Sequence, residues 1–418
     1  MNLPQESASV SRRSFMRMAG VIAAVPVLSE PYFAHAALQS TQQPAKPAPK
    51  PISQQQAMKQ MMMSIPKDAV LINANENPLG PCEAARSAIA SVACTGGRYD
   101  ILEMMNLVDV FAKQNNVDPD YIAVYAGSSE PLHYSVLTYT GPGRNLVAGN
   151  PTYEAAGRAA EISGAKTIQT PLTSTYAHDV NALAAAAAPN AGVIYLCNPN
   201  NPTGTITARK DILWLLDNKP KDTVLLVDEA YIHLSDAESV TDQVANRKDI
   251  IVLRTFSKIY GMAGIRCGFA IAHPDVLRKL ENCGQNAMPV TSSIAARVSL
   301  EDTELIPKRK AYIANNRNET IKFLTANNYK VIPGSQSNCF MIDTGRNGRQ
   351  VMAAMAQKKV IIGRTWPVWP NVVRITVGTN EDMAKFRTAF KEVMDTPATA
   401  SLIRPADTLS GGVFPQLS

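Results

Sequence analysis

The run Arg254-Thr-Phe-Ser-Lys-Ile-Tyr-Gly-Met-Ala-Gly-Ile-Arg-Cys-Gly268 sets the frame for the rest of the chain. It follows an apolar, strand-like segment at residues 250–253. It places one lysine, Lys258, among two hydroxyls (Thr255, Ser257) and a guanidinium (Arg266). Working upstream, the apolar run 224–227 ends at Asp228 in Val227-Asp-Glu-Ala-Tyr231, and the run 192–197 leads into Asn198-Pro-Asn-Asn-Pro-Thr-Gly204. Further back, 145–148 precedes Pro151-Thr-Tyr153, and 121–126 precedes Gly127-Ser-Ser-Glu130. Runs at 167–170 and 268–272 complete the set, and helical patterns at 153–162, 208–217 and 275–281 separate the strands. This alternation predicts an α/β fold with a mainly parallel central sheet covered by helices. In such sheets ligands sit beyond the carboxyl ends of the strands, and each of these motifs falls at such an end.

Residues 96–285 are therefore expected to form a large domain. After about residue 285 the pattern changes. A long helical stretch at 303–326, strands near 330–332, 339–343, 360–362 and 372–377, and helices at 348–357 and 382–393 predict a smaller α+β domain over 286–395. Residues 67–95 read as an N-terminal segment packing with that small domain, with a helix over 81–92. Residues 37–66, rich in Gln, Pro and Lys, read as a linker of polyproline character. Within it, Met61-Met-Met63 is expected to pack on a surface groove. Residues 396–418 read as a loose tail.

The chain has 418 residues, 45% of them hydrophobic and 18% charged, a balance that supports a sizeable core. Net charge is +6, spread without a run of five like charges, which argues for a solvated surface and against a nucleic-acid footprint. The four histidines beyond the N-terminal segment, His133, His178, His233 and His273, are scattered, so no metal site is expected.

The N-terminus carries an address. Ser11-Arg-Arg-Ser-Phe-Met-Arg17 is a twin-arginine pattern, followed by an apolar stretch over 18–28 and by Ala34-His-Ala36 as a cleavage site. Pro26 interrupts the apolar stretch, and a bilayer span needs about 20 apolar residues, so a signal peptide over 1–36 is expected rather than an anchor. Twin-arginine export carries folded proteins, which predicts a periplasmic protein cleaved near Ala36. Of the six cysteines, Cys82 and Cys94 flank the expected helix. Twelve helical residues span about 18 Å, and a disulfide needs Cα atoms within about 7 Å, so they are not expected to pair. Cys197, Cys267 and Cys339 lie in apolar runs and are expected to be buried thiols.

Each chemical motif has an ordinary reading when taken alone. The Gly127–Ser129 turn opens a helix and could be a plain cap or an anion site. Tyr153 could pack in the core or stack on a flat heterocycle. Asp228 could be a cap or an ion-pair partner, or could face a protonated pyridine nitrogen. Arg374, a charge inside the apolar strand Val372-Val-Arg-Ile-Thr-Val-Gly378, needs a partner, either an acidic side chain or a substrate carboxylate. Arg364 could add a second cation. Two hydroxyls and a guanidinium around Lys258 suit a phosphate dianion. A lysine desolvated beside cationic Arg266 is expected to have a lowered pKa. Together, a Schiff-base lysine, an acid for a pyridinium nitrogen and an Asn/Tyr pair for a phenolic oxygen are what pyridoxal phosphate asks of a protein.

At these residues the chain resembles the fold-type-I aminotransferases, and most closely the histidinol-phosphate aminotransferase family. The resemblance covers about residues 70–395. It rests on Asn75-Glu-Asn-Pro-Leu-Gly80, Gly97-Arg-Tyr99, Gly127-Ser-Ser-Glu130, Pro151-Thr-Tyr153, Asn198 to Gly204, Asp228-Glu-Ala-Tyr231, Ser257-Lys258 to Gly268 and Arg374 to Gly378. Asp100 follows Tyr99 where the family commonly has proline, and Ser129 stands where an acidic residue is common.

The resemblance implies roles for these residues. Lys258 would hold pyridoxal phosphate and shuttle the proton, and Asp228 would pair with the ring nitrogen. Asn201 and Tyr231 would face the phenolic oxygen, and Tyr153 would stack on the ring. Gly127, Ser128, Ser129, Thr255, Ser257 and Arg266 would form the phosphate cradle. Tyr99 would reach a partner subunit's phosphate, which implies a homodimer with shared sites. Asn75, Arg364 and Arg374 would meet substrate. The expected activity is transfer of an amino group from an amino acid to a 2-oxo acid. A β-lyase or decarboxylase on the same scaffold, and a non-catalytic periplasmic binding protein, are the alternatives.

Overall fold

The computed structural model describes residues 53–284 and 286–397. The twin-arginine segment, the cleavage site and residues 398–418 of the tail lie outside the described residues.

Among the described residues are twelve strands: β1 (Val70–Ile72), β2 (Ile122–Tyr125), β3 (Asn145–Asn150), β4 (Thr167–Pro171), β5 (Ala191–Cys197), β6 (Val224–Asp228), β7 (Ile250–Thr255), β8 (Gly268–Ala272), β9 (Lys330–Val331), β10 (Cys339–Asp343), β11 (Val360–Ile362) and β12 (Val372–Thr376). Seven of them form one sheet in the order β2-β8-β7-β6-β5-β3-β4. β4 through β7 pair in parallel along that order, whereas β8 runs antiparallel to both β7 and β2. β5 to β8 are buried at every residue, which explains why they read as continuous apolar runs with no alternation.

This topology gathers the motifs. Because β8 is reversed, β2 points the same way as the parallel strands. The carboxyl ends of β2, β3, β5, β6 and β7 therefore share one edge, where β8 begins. Gly268 is paired with both Tyr125 and Thr255, so Arg266, just before β8, joins the turns after β2 and β7. A Cβ on Gly268 would lie 2.5 Å from the Ser128 nitrogen and 2.9 Å from the Arg254 carbonyl oxygen, so only glycine lets the three segments meet there.

A second, antiparallel sheet, β12-β10-β9, carries Arg374 opposite Met341. β1 pairs in parallel with β11 across nearly 300 residues of chain, Val70 opposite Val360, and the helix Glu83–Val92 packs on Val290–Glu301. The described residues from Gln54 to 397 pack as one compact unit. Among the described residues no helix is long and apolar enough to cross a membrane.

Several expectations need correction. The linker reading fails over its last part, where Gln54–Ser64 is a helix. No proline falls between Pro51 and Pro66, and Gln, Ala, Met and Lys are good helix formers. Its Met62 and Met63 are 51% and 76% exposed and do not fill a groove. The helix expected over 303–326 begins at Leu305, and a separate helix, Val290–Glu301, precedes it. The helix Ile101–Asn115 went unread because its apolar residues fall on more than one face. Leu107 and Phe111 are buried, while Ile101, Leu102 and Met105 are exposed, and this blurs the 3.6-residue period. All six cysteines are free, with Cys82 buried at one end of Glu83–Val92 and Cys94 exposed beyond the other.

Candidate active site

Lys258 follows β7 and is partly buried, its Nζ 5.5 Å from the centroid of the Tyr231 ring. Its pKa is lowered to about 8, mainly by burial and next by the charge of Arg374. The sequence had assigned that second influence to Arg266. Arg266 is turned instead toward Ser257 and the Ala263 carbonyl oxygen. At a pKa of 8 roughly a tenth of the amine is neutral at pH 7, against well under a thousandth at its ordinary value.

Asp228, 4% exposed, ends β6. Tyr195 Oη donates to its Oδ2 at 2.9 Å and the Ala230 N–H to its Oδ1 at 3.1 Å. Among the described residues it makes no ion pair. Burial raises its pKa, an effect opposed by those two donors and by the charge of Lys258. A buried carboxylate with no direct ion-pair partner among the described residues would gain one from a protonated ring nitrogen. Tyr195 was missed in the sequence because its strand reads as uninterrupted core, and nothing in Ile-Tyr-Leu-Cys marks one ring as polar-facing.

The hydrogen bonds fix which ends of the other side chains are available. Asn75 Nδ2 donates to Tyr231 Oη at 3.0 Å, so that oxygen is already an acceptor and its own proton is left to be given elsewhere. Burial holds the Tyr231 hydroxyl well above its usual pKa, which keeps it a donor. Arg374 Nη1 donates to Asn201 Oδ1 at 2.8 Å, leaving the Asn201 amide N–H groups as the free end. Asn201 and Tyr231 are thus preset as donors, as a phenolate oxygen requires.

Asn75, read as a substrate contact, is committed instead to the protein. Besides Tyr231, its amide reaches Cys339 Sγ and accepts from Thr376 Oγ1. Its left-handed backbone (φ 54°) and the bond from its N–H to Thr376 Oγ1 hold it in that pose. It is a positioning residue for Tyr231.

The phosphate cradle comes from three turns. Thr255 Oγ1 donates to Ser257 Oγ at 3.0 Å, and the Arg266 guanidinium lies against both Ser257 and Gly127. The helix Ser129–Tyr139 starts here with no side-chain cap from Ser128, so its first N–H groups point at the cradle. Gly127 has φ +96°, and a Cβ there would fall 2.1 Å from Arg266 Nη2. Gly127→Ala should therefore displace the guanidinium and weaken pyridoxal phosphate binding by about 10- to 100-fold, the loss of one charge-assisted hydrogen bond. A titration that left the Kd within twofold of wild type would contradict this reading of the cradle.

Arg374 is 6% exposed. Its Nη2 donates to the Asn73 carbonyl oxygen at 2.6 Å, and its buried Nε has no partner among the described residues. A cation with an orphaned donor beside Lys258 fits a substrate carboxylate. Arg364 is different, since its Nη2 pairs with Glu154. Tyr153, just before Glu154, follows β3 on the same edge. Tyr99 is 86% exposed and joins none of these contacts within its own chain.

Residues 67–390 match the family model for aminotransferases of class I and II. The chain belongs to this family. Its members are pyridoxal-phosphate-dependent transaminases, and the residues just described fit that cofactor. The chain is 30% identical over 335 residues to a histidinol-phosphate aminotransferase of Moorella thermoacetica, covering 78% of this chain and 86% of that one. It is 32% identical over 320 residues to an aromatic amino acid aminotransferase of Streptomyces avermitilis, covering 75% and 87%. In fold it is similar to the histidinol-phosphate aminotransferase of Sinorhizobium meliloti, solved with pyridoxal 5'-phosphate. That match has a TM-score of 0.74 at 23% identity and covers 82% of this chain and 95% of that one.

Proposed function

We propose that the protein transfers an amino group from an amino acid to a 2-oxo acid by a ping-pong route, binding both substrates in turn at Arg374. The observation that carries this reading is the contact from Arg374 to Asn201, because it ties the carboxylate site to the cofactor site. Bound pyridoxal phosphate supplies the electron sink for labilising the donor's Cα–H bond. Arg374 orients the carboxylate, and neutral Lys258 Nζ takes the Cα proton and returns it on the other side of the transfer. Asp228 keeps the ring nitrogen protonated, while Asn201 and Tyr231 hold the phenolic oxygen. Initial rates at several fixed acceptor concentrations should give parallel double-reciprocal lines. Intersecting lines would contradict the ping-pong order.

Two further parts of the proposal rest on sequence and surface. The exposed Tyr99, Ile101, Leu102 and Met105 are an apolar patch suited to a second copy of the chain, with Tyr99 reaching that copy's phosphate cradle. The twin-arginine pattern and cleavage site support export to the periplasm by the twin-arginine machinery, with the cofactor loaded beforehand.

A further inference from the structure

Thr376 makes two hydrogen bonds to one residue. Its Oγ1 accepts from the Asn75 backbone N–H at 2.9 Å and donates to Asn75 Oδ1 at 3.1 Å. Thr376 lies two residues after Arg374 on β12, so both side chains leave the same face of that strand. Directly opposite Thr376 on β10 is Cys339, whose Sγ receives the Asn75 amide at 3.3 Å. The same Nδ2 donates to Tyr231 Oη at 3.0 Å. All four side chains are buried, Asn75 at 1% exposure and Thr376 at 3%, so bulk water does not complete these bonds.

An asparagine amide has two orientations of almost equal shape, related by exchange of its oxygen and nitrogen. Its neighbours decide between them. With Oδ1 at Thr376, the threonine proton has an acceptor, and both hydrogens of Nδ2 have partners in Tyr231 and Cys339. In the reverse orientation Oδ1 would face Tyr231 and accept its proton, and the Thr376 proton would lose its acceptor. We propose that Thr376 is a positioning residue for the cofactor: its hydroxyl locks the Asn75 amide with Nδ2 toward Tyr231, and so directs the Tyr231 proton to the phenolic oxygen rather than to Asn75. The proposal rests on the reading of Tyr231 as a donor to that oxygen, and it needs no particular amino acid as substrate. Strand β12 thereby sets both donors to the oxygen, Tyr231 through Thr376 and Asn75, and Asn201 through Arg374.

The test follows the absorbance of the holoenzyme's pyridoxal phosphate against pH, with no amino acid present. Thr376→Val keeps the shape of the side chain and removes its hydroxyl. Asn75 then turns, Tyr231 gives its proton to Asn75 Oδ1, and the phenolic oxygen, short of one donor, becomes more basic. The pH midpoint of the absorbance change should rise by about half to one unit, and the Kd for pyridoxal phosphate should weaken by about 3- to 10-fold, the worth of one hydrogen bond. Thr376→Ala should do the same, whereas Thr376→Ser, which keeps the hydroxyl, should hold the wild-type midpoint. None of these variants changes a charge: Cys197, Cys339 and Arg374, which act on Tyr231, and Lys258 over its ring all stay. In a Tyr231→Phe background there is no proton to redirect, so Thr376→Val should add no further rise. An unchanged midpoint in Thr376→Val and Thr376→Ala, an equal rise in Thr376→Ser, or an undiminished rise in the Tyr231→Phe background would overturn the proposal. If these shifts appear but no amino acid converts the bound cofactor, the aminotransferase reading fails and the role of Thr376 stands. A protein that takes up no pyridoxal phosphate would end both.

Discussion

Lys258→Ala should lower kcat by on the order of 10⁴-fold or more, because the same amine both engages the cofactor and carries the Cα proton. The cradle of Gly127, Ser257 and Arg266 does not depend on that amine, nor does Asp228. The variant should therefore still retain pyridoxal phosphate through gel filtration. Loss of turnover with retention of cofactor is the expected pair of results, and activity within about 100-fold of wild type would remove Lys258 from the chemistry. The lowered pKa gives this a pH dependence of known sign. Below about pH 8 the folded-state amine is mostly protonated and cannot attack. Uptake of pyridoxal phosphate by the apoprotein should therefore quicken as pH rises toward 8 and level off above it. Arg374→Gln removes the charge that helps depress the amine, so it should move that midpoint upward.

The second large effect is expected at Asp228. Asp228→Asn keeps the shape but removes the counter-charge of the ring nitrogen, and kcat should fall by on the order of 10³-fold. The apoprotein should respond oppositely. Because burial raises the folded-state pKa of Asp228 above its unfolded value, the ionised carboxylate opposes folding at neutral pH. The amide removes that penalty, so apoprotein Tm should hold or rise while activity collapses. A fall in Tm that parallels the loss of rate would mark Asp228 as a structural group. Tyr195 supports the carboxylate from within β5, and its hydroxyl is one of only two donors to it among the described residues.

The parts of the structure that were readable in the chain share a physical reason. β5, β6 and β7 are buried on both faces, so they appear as unbroken apolar runs. Motifs with fixed backbone needs follow such strands: the prolines of Asn198 to Gly204 follow β5, and the glycine of Gly127-Ser-Ser follows β2. Lys258, Asp228, Asn201, Tyr231 and Arg266 belong to those local motifs and could be placed by position alone. What stayed hidden depends on contacts between distant segments. Asn75 meets Tyr231 156 residues away, and Arg364 meets Glu154 210 residues away. No local pattern announces either pairing. The cation acting on Lys258 is Arg374, from another sheet, and not its sequence neighbour Arg266. The helix Ile101–Asn115 was obscured because Ile101, Leu102 and Met105 are apolar yet exposed, so its apolar residues do not mark one buried face.

The central claim is transamination at Lys258. Its most direct test is a single half-reaction: the holoenzyme mixed with L-amino acids and no 2-oxo acid. The account predicts that the absorbance band of bound pyridoxal phosphate gives way to that of pyridoxamine phosphate, with one 2-oxo acid released per site. Release of carbon dioxide or ammonia with the original band restored would contradict transamination, and a protein that takes up no pyridoxal phosphate at all would contradict the site itself.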